Sequence, residues 1–224
     1  MPTFDDPLAD AAEASAALRG LAHATRAFSD RFARRFGGCK PTAAQAGAWD
    51  AISRGEHTVV VAPTGSGKTL AAFLWAIDQL AQEPANTNGA KGTKVLYVSP
   101  LKALAVDVER NLSTPLTGIT RVAERVGTPA PEITVGVRSG DTSPAQRRQL
   151  IATPPDILIT TPESLFLMLT SAARETLATV RTVIVDEVHA VAGTKRGTHL
   201  AVSLDRLDAL LDRPAQRIGL SATV

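Results

Sequence analysis

The chain has 224 residues, enough for one large α/β domain or two small ones with a sizeable buried core. Its composition, 44% hydrophobic and 21% charged, is too apolar for a disordered chain, and one cysteine excludes an internal disulfide. A net charge of +2 neither requires nor excludes a nucleic-acid partner, because a basic stripe can lie on a nearly neutral protein. No stretch approaches the roughly 20 apolar residues of a membrane span, and the acidic start is unlike a secretory signal. We therefore expect a cytoplasmic protein without a membrane partner.

Residues 1–35 are predicted to form a loose arm and then an Ala-rich helix from residue 10 onward. The basic end of this helix, 26–35, is compatible with a solvated face and with a nucleic-acid contact. Residues 36–224 are predicted to form one domain, which opens with a helix over 42–53. Six short apolar strands follow, at 58–62, 94–99, 133–137, 156–160, 180–185 and 217–221. The helices predicted among them cover 67–83, 101–112, 144–151, 162–169 and 198–211.

Three of these strands are continuously apolar, at residues 59–61, 157–159 and 183–185. Strands of this kind are typical of a parallel sheet that helices cover on both faces. The alternation of strands and helices therefore predicts an α/β fold with a doubly wound, mostly parallel sheet.

Residues 62–69, Ala-Pro-Thr-Gly-Ser-Gly-Lys-Thr, follow a predicted strand and open a helix. The two glycines let backbone N–H groups converge on phosphate oxygens, and the positive end of the helix points at the same anion. A lysine here reaches the β and γ phosphates, and the next hydroxyl ligates Mg²⁺. A glycine-rich turn that binds nothing is the alternative, and the position between strand and helix argues against it. The residues expected to hold the nucleotide are Thr64, Gly65, Ser66, Gly67, Lys68 and Thr69.

Asp186 and Glu187 stand at the end of another apolar strand and are followed by Val188 and His189. A carboxylate at this edge of a parallel sheet can hold the Mg²⁺ that bridges the terminal phosphates of a nucleotide. We assign Asp186, with Thr69, to the metal, and Glu187 to orienting and deprotonating the attacking water. Solvated acids at a strand end are the alternative, and the phosphate loop upstream favours the catalytic interpretation. His189 has no His or Cys partner at metal-ligand spacing.

Three polar side chains near predicted helix starts are further candidates. Gln45 can donate to and accept from one adenine edge, although an isolated Gln is usually a surface residue. Ser99 and Thr161 each precede a proline, which pairs an N-cap hydroxyl with Pro at the first helical position. Free N–H groups at such a start can bind the phosphates of a nucleic-acid strand. From the pattern alone, these residues are equally compatible with a purely structural role in starting helices.

In order along the chain, these motifs resemble those of superfamily 2 ATP-dependent helicases. Gln45 with its Pro-Thr lead, loop 62–69, residues 186–189 and Ser221-Ala222-Thr223 are similar to its adenine-sensing, phosphate-binding, metal-binding and coupling motifs. Stretches 99–105, 138–142 and 160–165 resemble its nucleic-acid-facing motifs. The amino-acid sequence of residues 188–204 resembles that of the large helicase-related (Lhr) family in particular. The resemblance covers about residues 30–224.

The resemblance implies the first RecA-like motor lobe of a DEAD/DEAH box helicase with a P-loop, using ATP and Mg²⁺. It implies 3′ to 5′ movement on single-stranded DNA, with an RNA:DNA hybrid as another possible substrate, and a role in DNA repair. A second motor lobe and accessory domains are expected outside this chain. Two alternatives remain: a nucleotide-responsive nucleic-acid-binding module without hydrolysis, and a P-loop NTPase that is not a helicase. The further residues implied are Ser99, Lys102, Arg138, Thr161 and Pro162 for nucleic acid, and His189, Ser221 and Thr223 for coupling.

Overall fold

The computed structural model describes residues 42–81, 92–101, 108–109, 112, 116–117 and 132–223. The arm and helix expected within residues 1–35, and Lys102, lie outside these ranges. All six predicted strands are present, most of them one or two residues shorter than the apolar pattern suggests. They are β1 (Thr58–Val61), β2 (Val95–Val98), β3 (Val135–Arg138), β4 (Ile157–Thr160), β5 (Thr182–Val185) and β6 (Gln216–Ser221).

Helices connect the strands as predicted, with two additions. The described helices are α1 (Ala43–Ser53), α2 (Lys68–Ala81), α3 (Pro144–Ala152), α4 (Pro162–Leu169), α5 (Val188–Val191) and α6 (Lys195–Asp208). The sequence analysis did not predict the short α5 or a 3₁₀ helix over Ala172–Leu177. Helix α6 begins three residues earlier than predicted because the Thr194 hydroxyl accepts a hydrogen bond from Gly197 N at 3.0 Å and caps it. Only residues 108, 109 and 112 of the helix predicted over 101–112 are described as helical.

The six strands form one sheet in the order β1-β6-β5-β2-β4-β3, and every pairing is parallel. This confirms the predicted α/β fold. Because all strands run the same way, their carboxyl ends lie along one edge of the sheet. The segments that follow β1, β6 and β5 therefore share one half of that edge, and those that follow β2, β4 and β3 share the other.

The core lies on both faces of the sheet. Alternate residues of β2 show this, since Tyr97 packs with Phe73 of α2 whereas Leu96 packs with Leu204 of α6. Trp49 of α1 is 2% exposed, and its Nε1 donates to Ala71 O at 3.0 Å, which links α1 to α2. Within the described ranges, no helix is both long and apolar enough for a membrane span.

Candidate functional site

The loop between β1 and α2 takes the shape that the sequence predicts. Gly65 and Gly67 have φ angles of 82° and 78°, which residues with a side chain rarely adopt. Lys68 begins α2 and is 5% exposed, yet it forms no hydrogen bond or ion pair with any described residue. The Ser66 hydroxyl is also buried without a hydrogen-bond partner. An ammonium and a buried hydroxyl that both lack a partner suit the binding of an anion, and the first N–H groups of α2 lie beside them.

Gln45 contacts this loop from α1. It completes a capping box, in which Oε1 of Gln45 accepts from Thr42 N at 3.0 Å and Gln45 N donates to the Thr42 hydroxyl at 3.2 Å. The Nε2 atom of Gln45 donates to Gly67 O at 3.4 Å. Both ends of the amide therefore contact the protein, and one N–H and one lone pair remain for an adenine edge.

The acidic pair follows β5. Asp186 is 5% exposed, and its Oδ1 accepts from Glu187 N at 2.9 Å, while its Oδ2 accepts from the Tyr97 hydroxyl. Glu187 has φ 47° and ψ 48°, and is the only described residue other than glycine with a positive φ. Such backbone costs of the order of 1 kcal/mol or more and often occurs at functional sites. Oε2 of Glu187 lies 3.3 Å from Nε2 of His189.

Hydrogen bonds join the acidic pair to the end of β6 and to the phosphate loop. Nδ1 of His189 accepts from Ala222 N at 3.4 Å and lies 3.1 Å from Oγ of Ser221. Because Nδ1 accepts a backbone N–H, the proton of the neutral ring is assigned to Nε2, which faces Glu187. The carbonyl oxygen of Ser221 accepts from Ala62 N, the first residue of the loop, at 3.1 Å. The predicted phosphate, acidic and coupling motifs are thus contiguous.

The predicted nucleic-acid residues that the structure describes lie on the other half of the edge. Ser99 N donates to Thr160 O at 2.9 Å, and the Thr160 hydroxyl donates to Arg138 O at 2.8 Å. Ser99 and Thr161 are 0% and 2% exposed. Their hydroxyls are engaged inside the protein, where Thr161 caps α4 by accepting from Ser164 N at 3.3 Å. If these two segments bind a ligand, they therefore bind it through backbone groups, because both hydroxyls already have partners within the protein.

Arg138 is a buried cation at the end of the edge strand β3. It is 8% exposed, and its Nη1 is buried without a hydrogen-bond partner in the described part of the chain. Burial and the neighbouring Arg147 guanidinium lower the pKa of Arg138 below its usual range. Arg147 itself donates to Gly140 O at 3.0 Å. Two neighbouring guanidinium groups, one of them buried and unpaired, favour the binding of an anion such as a phosphate.

The sequence analysis missed Tyr97 and Arg147. Tyr97 could have been identified from the sequence, because it is the one polar side chain in the strand Val-Leu-Tyr-Val and a buried hydroxyl requires a partner. No sequence signal distinguishes Arg147 from Arg148 beside it. A cavity of about 750 Å³ lies at the amino ends of the strands, between residues such as His57, Lys94 and Gln216. It is at the opposite edge of the sheet from all the predicted site residues.

Comparison with known proteins agrees with this arrangement. Residues 42–224 match the family model described as DEAD/DEAH box helicase. The chain is 80% identical over 184 residues to Lhr helicase/probable uracil glycosylase of Mycolicibacterium smegmatis, covering 82% of this chain and 12% of that protein. It is 58% identical over 199 residues to Lhr helicase/uracil glycosylase of Escherichia coli K12, covering 87% and 13% respectively. It thus spans about an eighth of the length of these relatives.

A solved structure shares the fold. The structure of Mycobacterium smegmatis helicase Lhr bound to ssDNA and AMP-PNP superposes with a TM-score of 0.79 at 74% identity, covering 90% of this chain and 25% of that one. The resemblance to Lhr helicases seen in the motifs is therefore confirmed. With its RecA-like parallel sheet and a family match from residue 42 to its last residue, the chain belongs to the DEAD/DEAH box helicase family.

Proposed function

We propose that this chain is the ATP-binding lobe of an ATP-dependent helicase or translocase. The observation that carries the proposal is the buried, unpaired Lys68 in a loop that hydrogen bonds through Ser221 connect to Asp186, Glu187 and His189. The ammonium of this largely buried side chain has no carboxylate partner among the described residues, so a bound phosphate would supply its counter-ion. The relatives that match are named helicases, which supports the same activity for the longer protein.

Each residue of the nucleotide site has a proposed role. Gln45 binds the adenine edge with its remaining donor and acceptor, and residues 64–69 bind the phosphates, with Lys68 at the β and γ groups. Thr69 and Asp186 supply oxygen ligands of the kind that Mg²⁺ prefers, and the ion would neutralise charge on the terminal phosphates. Glu187 orients the attacking water and takes its proton.

The hydrogen bonds around His189 support a coupling role. Glu187 meets Nε2 of the ring while Ser221 meets Nδ1, and Thr223 N donates to the Ser221 hydroxyl at 3.4 Å. A change at the γ-phosphate would reach the end of β6 through this chain of contacts. We propose that His189, Ser221 and Thr223 transmit hydrolysis to movement on the nucleic acid.

We propose that the other half of the edge binds single-stranded DNA, or one strand of an RNA:DNA hybrid, through its phosphates. The unpaired Arg138 is the strongest support. Thr161 and Pro162 begin α4, whose first turn can offer backbone N–H groups to a phosphate, and Ser99 is included from its motif. Lys102 joins them on the strength of its motif alone. By family resemblance, the longer protein would move 3′ to 5′ and act in DNA repair in the cytoplasm.

The arginines that stabilise the transferring phosphoryl group are proposed to come from a second motor lobe. An arginine supplied in this way is worth about 10³ to 10⁵ in rate. The isolated 224-residue chain should therefore bind ATP and Mg²⁺ far better than it hydrolyses ATP.

The test is ATP turnover by the 224-residue chain with and without single-stranded DNA, with Lys68→Ala as the blank. Turnover no faster than the blank, together with measurable binding of an ATP analogue, is expected. Brisk DNA-stimulated turnover would mean that the chain completes its own catalytic site. Failure to bind any nucleotide would contradict the proposed function itself.

A further inference from the structure

We propose that Tyr97 is a positioning residue for Asp186, and that its hydroxyl orients the carboxylate toward the metal ion of the bound nucleotide. Tyr97 lies in the strand that leads to Ser99, in the half of the edge assigned to nucleic acid, yet its hydroxyl donates to Oδ2 of Asp186 in the other half. The inference rests on the proposed function, because it takes Asp186 as the metal ligand.

The register of the sheet brings the two side chains together. Tyr97 in β2 pairs with Ile184 in β5, and Asp186 follows Ile184 by two residues. Side chains two residues apart along an extended segment point to the same face, and Tyr97, Ile184 and Phe73 of α2 share one core cluster. Asp186 is therefore directed to the face that carries α2 and the phosphate loop at its start.

The Tyr97 ring is held firmly. It is 0% exposed and stacks on Phe73 with ring centroids 4.9 Å apart. A phenol hydroxyl is protonated at neutral pH, so it donates a hydrogen bond to the Asp186 carboxylate. A donor in a fixed ring defines one position for the oxygen that accepts from it.

Both oxygens of Asp186 are thus oriented by the protein. Oδ1 accepts from Glu187 N at 2.9 Å, and Oδ2 accepts from Tyr97. Each carboxylate oxygen retains a lone pair for a metal ion or its water. Partners of this kind set the orientation of a metal ligand, and losing one typically weakens metal affinity by about 10- to 100-fold.

The experiment uses Tyr97→Phe, which removes one buried oxygen and keeps the ring. Binding of a fluorescent ADP analogue to the 224-residue chain is measured across a range of Mg²⁺ concentrations. The Mg²⁺ concentration for half-maximal binding is expected to rise about tenfold, at the lower end of the usual range, with metal-free binding unchanged. The control Ile77→Val removes one buried methyl group from the same core cluster and keeps both the stacked ring and its hydroxyl, so it should lower the melting temperature without moving the Mg²⁺ midpoint.

Asp186→Asn separates this inference from the proposed function. An unchanged Mg²⁺ midpoint in Asp186→Asn would show that the metal assignment of the proposed function is wrong. A raised midpoint in Asp186→Asn with an unchanged midpoint in Tyr97→Phe would overturn the role of Tyr97 alone. If Tyr97 acts through Asp186, adding Tyr97→Phe to Asp186→Asn has little further effect. Fully additive effects in the double variant would also overturn the inference.

A spectroscopic test is available because Tyr97 is the only tyrosine among the 224 residues. Labelling tyrosine with ¹³C at Cζ gives one NMR resonance, next to the oxygen that donates to Asp186. This resonance is expected to shift in Asp186→Asn and on addition of Mg²⁺ with ADP to the unmodified chain. A resonance that responds to neither would contradict a hydrogen bond between the two residues.

Discussion

A methyl group on Gly67 would lie 2.3 Å from Nε2 of Gln45. The phosphate loop and the proposed adenine-binding glutamine are therefore packed so closely that any side chain at this position would have to displace the Gln45 amide. The positive φ of Gly67 gives a second, independent reason for glycine.

Gly67→Ala is therefore expected to impair both stability and nucleotide binding. The φ of 78° costs alanine about 1 kcal/mol, and the clash displaces the Gln45 amide from its capping box. Urea unfolding and binding of a fluorescent ATP analogue measure the two effects. The matched control is Gly47→Ala within α1, where an added Cβ meets nothing within 4 Å, and which should stabilise by about 0.5–1 kcal/mol. Equal binding by the two variants would contradict the close contact.

Lys68→Ala and Glu187→Gln should separate binding from hydrolysis. Lys68→Ala removes the cation proposed to hold the phosphates, so tight nucleotide binding is lost. Glu187→Gln keeps the shape of the side chain and removes the base, so binding persists while turnover in the longer protein stops. Equilibrium binding and ATP turnover measure the two effects, and Lys195→Ala, at an exposed lysine of α6, is the charge control. Near-normal turnover by the Glu187→Gln enzyme would contradict the assignment of the base.

The left-handed backbone at Glu187 predicts a conflict between stability and function. Glu187→Gly relieves the strain that a positive φ imposes on a residue with a side chain. Glu187→Ala removes the same carboxylate but keeps that strain. We expect the glycine variant to be more stable than the alanine variant by about 1 kcal/mol in urea unfolding. Both should be inactive in the longer protein. A glycine variant no more stable than the alanine variant would show that this backbone is unstrained.

Arg138→Gln tests the proposed phosphate contact of the nucleic-acid half. It should weaken binding of a labelled single-stranded oligonucleotide similarly for all sequences and lower the salt dependence of binding, since phosphate contacts carry no base information. The charge-matched control is Arg148→Gln on exposed α3. Titrations at several salt concentrations give the slope of the logarithm of the binding constant against the logarithm of the salt concentration. If both variants lose affinity equally, general charge and not the buried Arg138 site is responsible.

The ion pair between Glu163 and Arg196 predicts that the free energy of unfolding depends weakly on pH in the acidic range. Nε and Nη2 of Arg196 donate to Oε1 and Oε2 of Glu163 at 2.5 and 2.9 Å, which joins the first turns of α4 and α6. The hydrogen bonds from Arg196 lower the pKa of Glu163 from its ordinary value of 4.5. The pair therefore stabilises above pH 4.5, and this contribution is lost as pH falls through the lowered value.

The side chains of Glu163 and Arg196 are 57% and 37% exposed. We therefore expect the ion pair to contribute less than about 1 kcal/mol to the free energy of unfolding at neutral pH, and less still in high salt. The free energies of urea unfolding of the unmodified chain and of Glu163→Gln should differ at pH 7, and the difference should shrink as the pH falls below 4.5. A difference that does not shrink on acidification would have another origin, such as the first turn of α4.

Local patterns in the chain are enough to predict most of the helices and strands and most of the proposed chemistry. Apolar runs such as 157–159 predict buried parallel strands because helices on both faces leave no polar side to the strand. Caps such as Thr161-Pro162 predict helix starts because a hydroxyl and a proline satisfy the first turn locally. The phosphate-binding role of loop 62–69 can also be predicted from a local pattern, because its glycines, lysine and threonine are close together in the chain.

Which residues meet depends on the tertiary structure. The order β1-β6-β5-β2-β4-β3 separates the proposed nucleotide and nucleic-acid motifs into two halves of one edge, and sequence order does not show this. The contact of Tyr97 with Asp186 joins residues 89 positions apart, and that of Gln45 with Gly67 joins residues 22 apart. Such contacts depend on strand register and helix packing, which arise from the whole core and leave no local pattern in the chain.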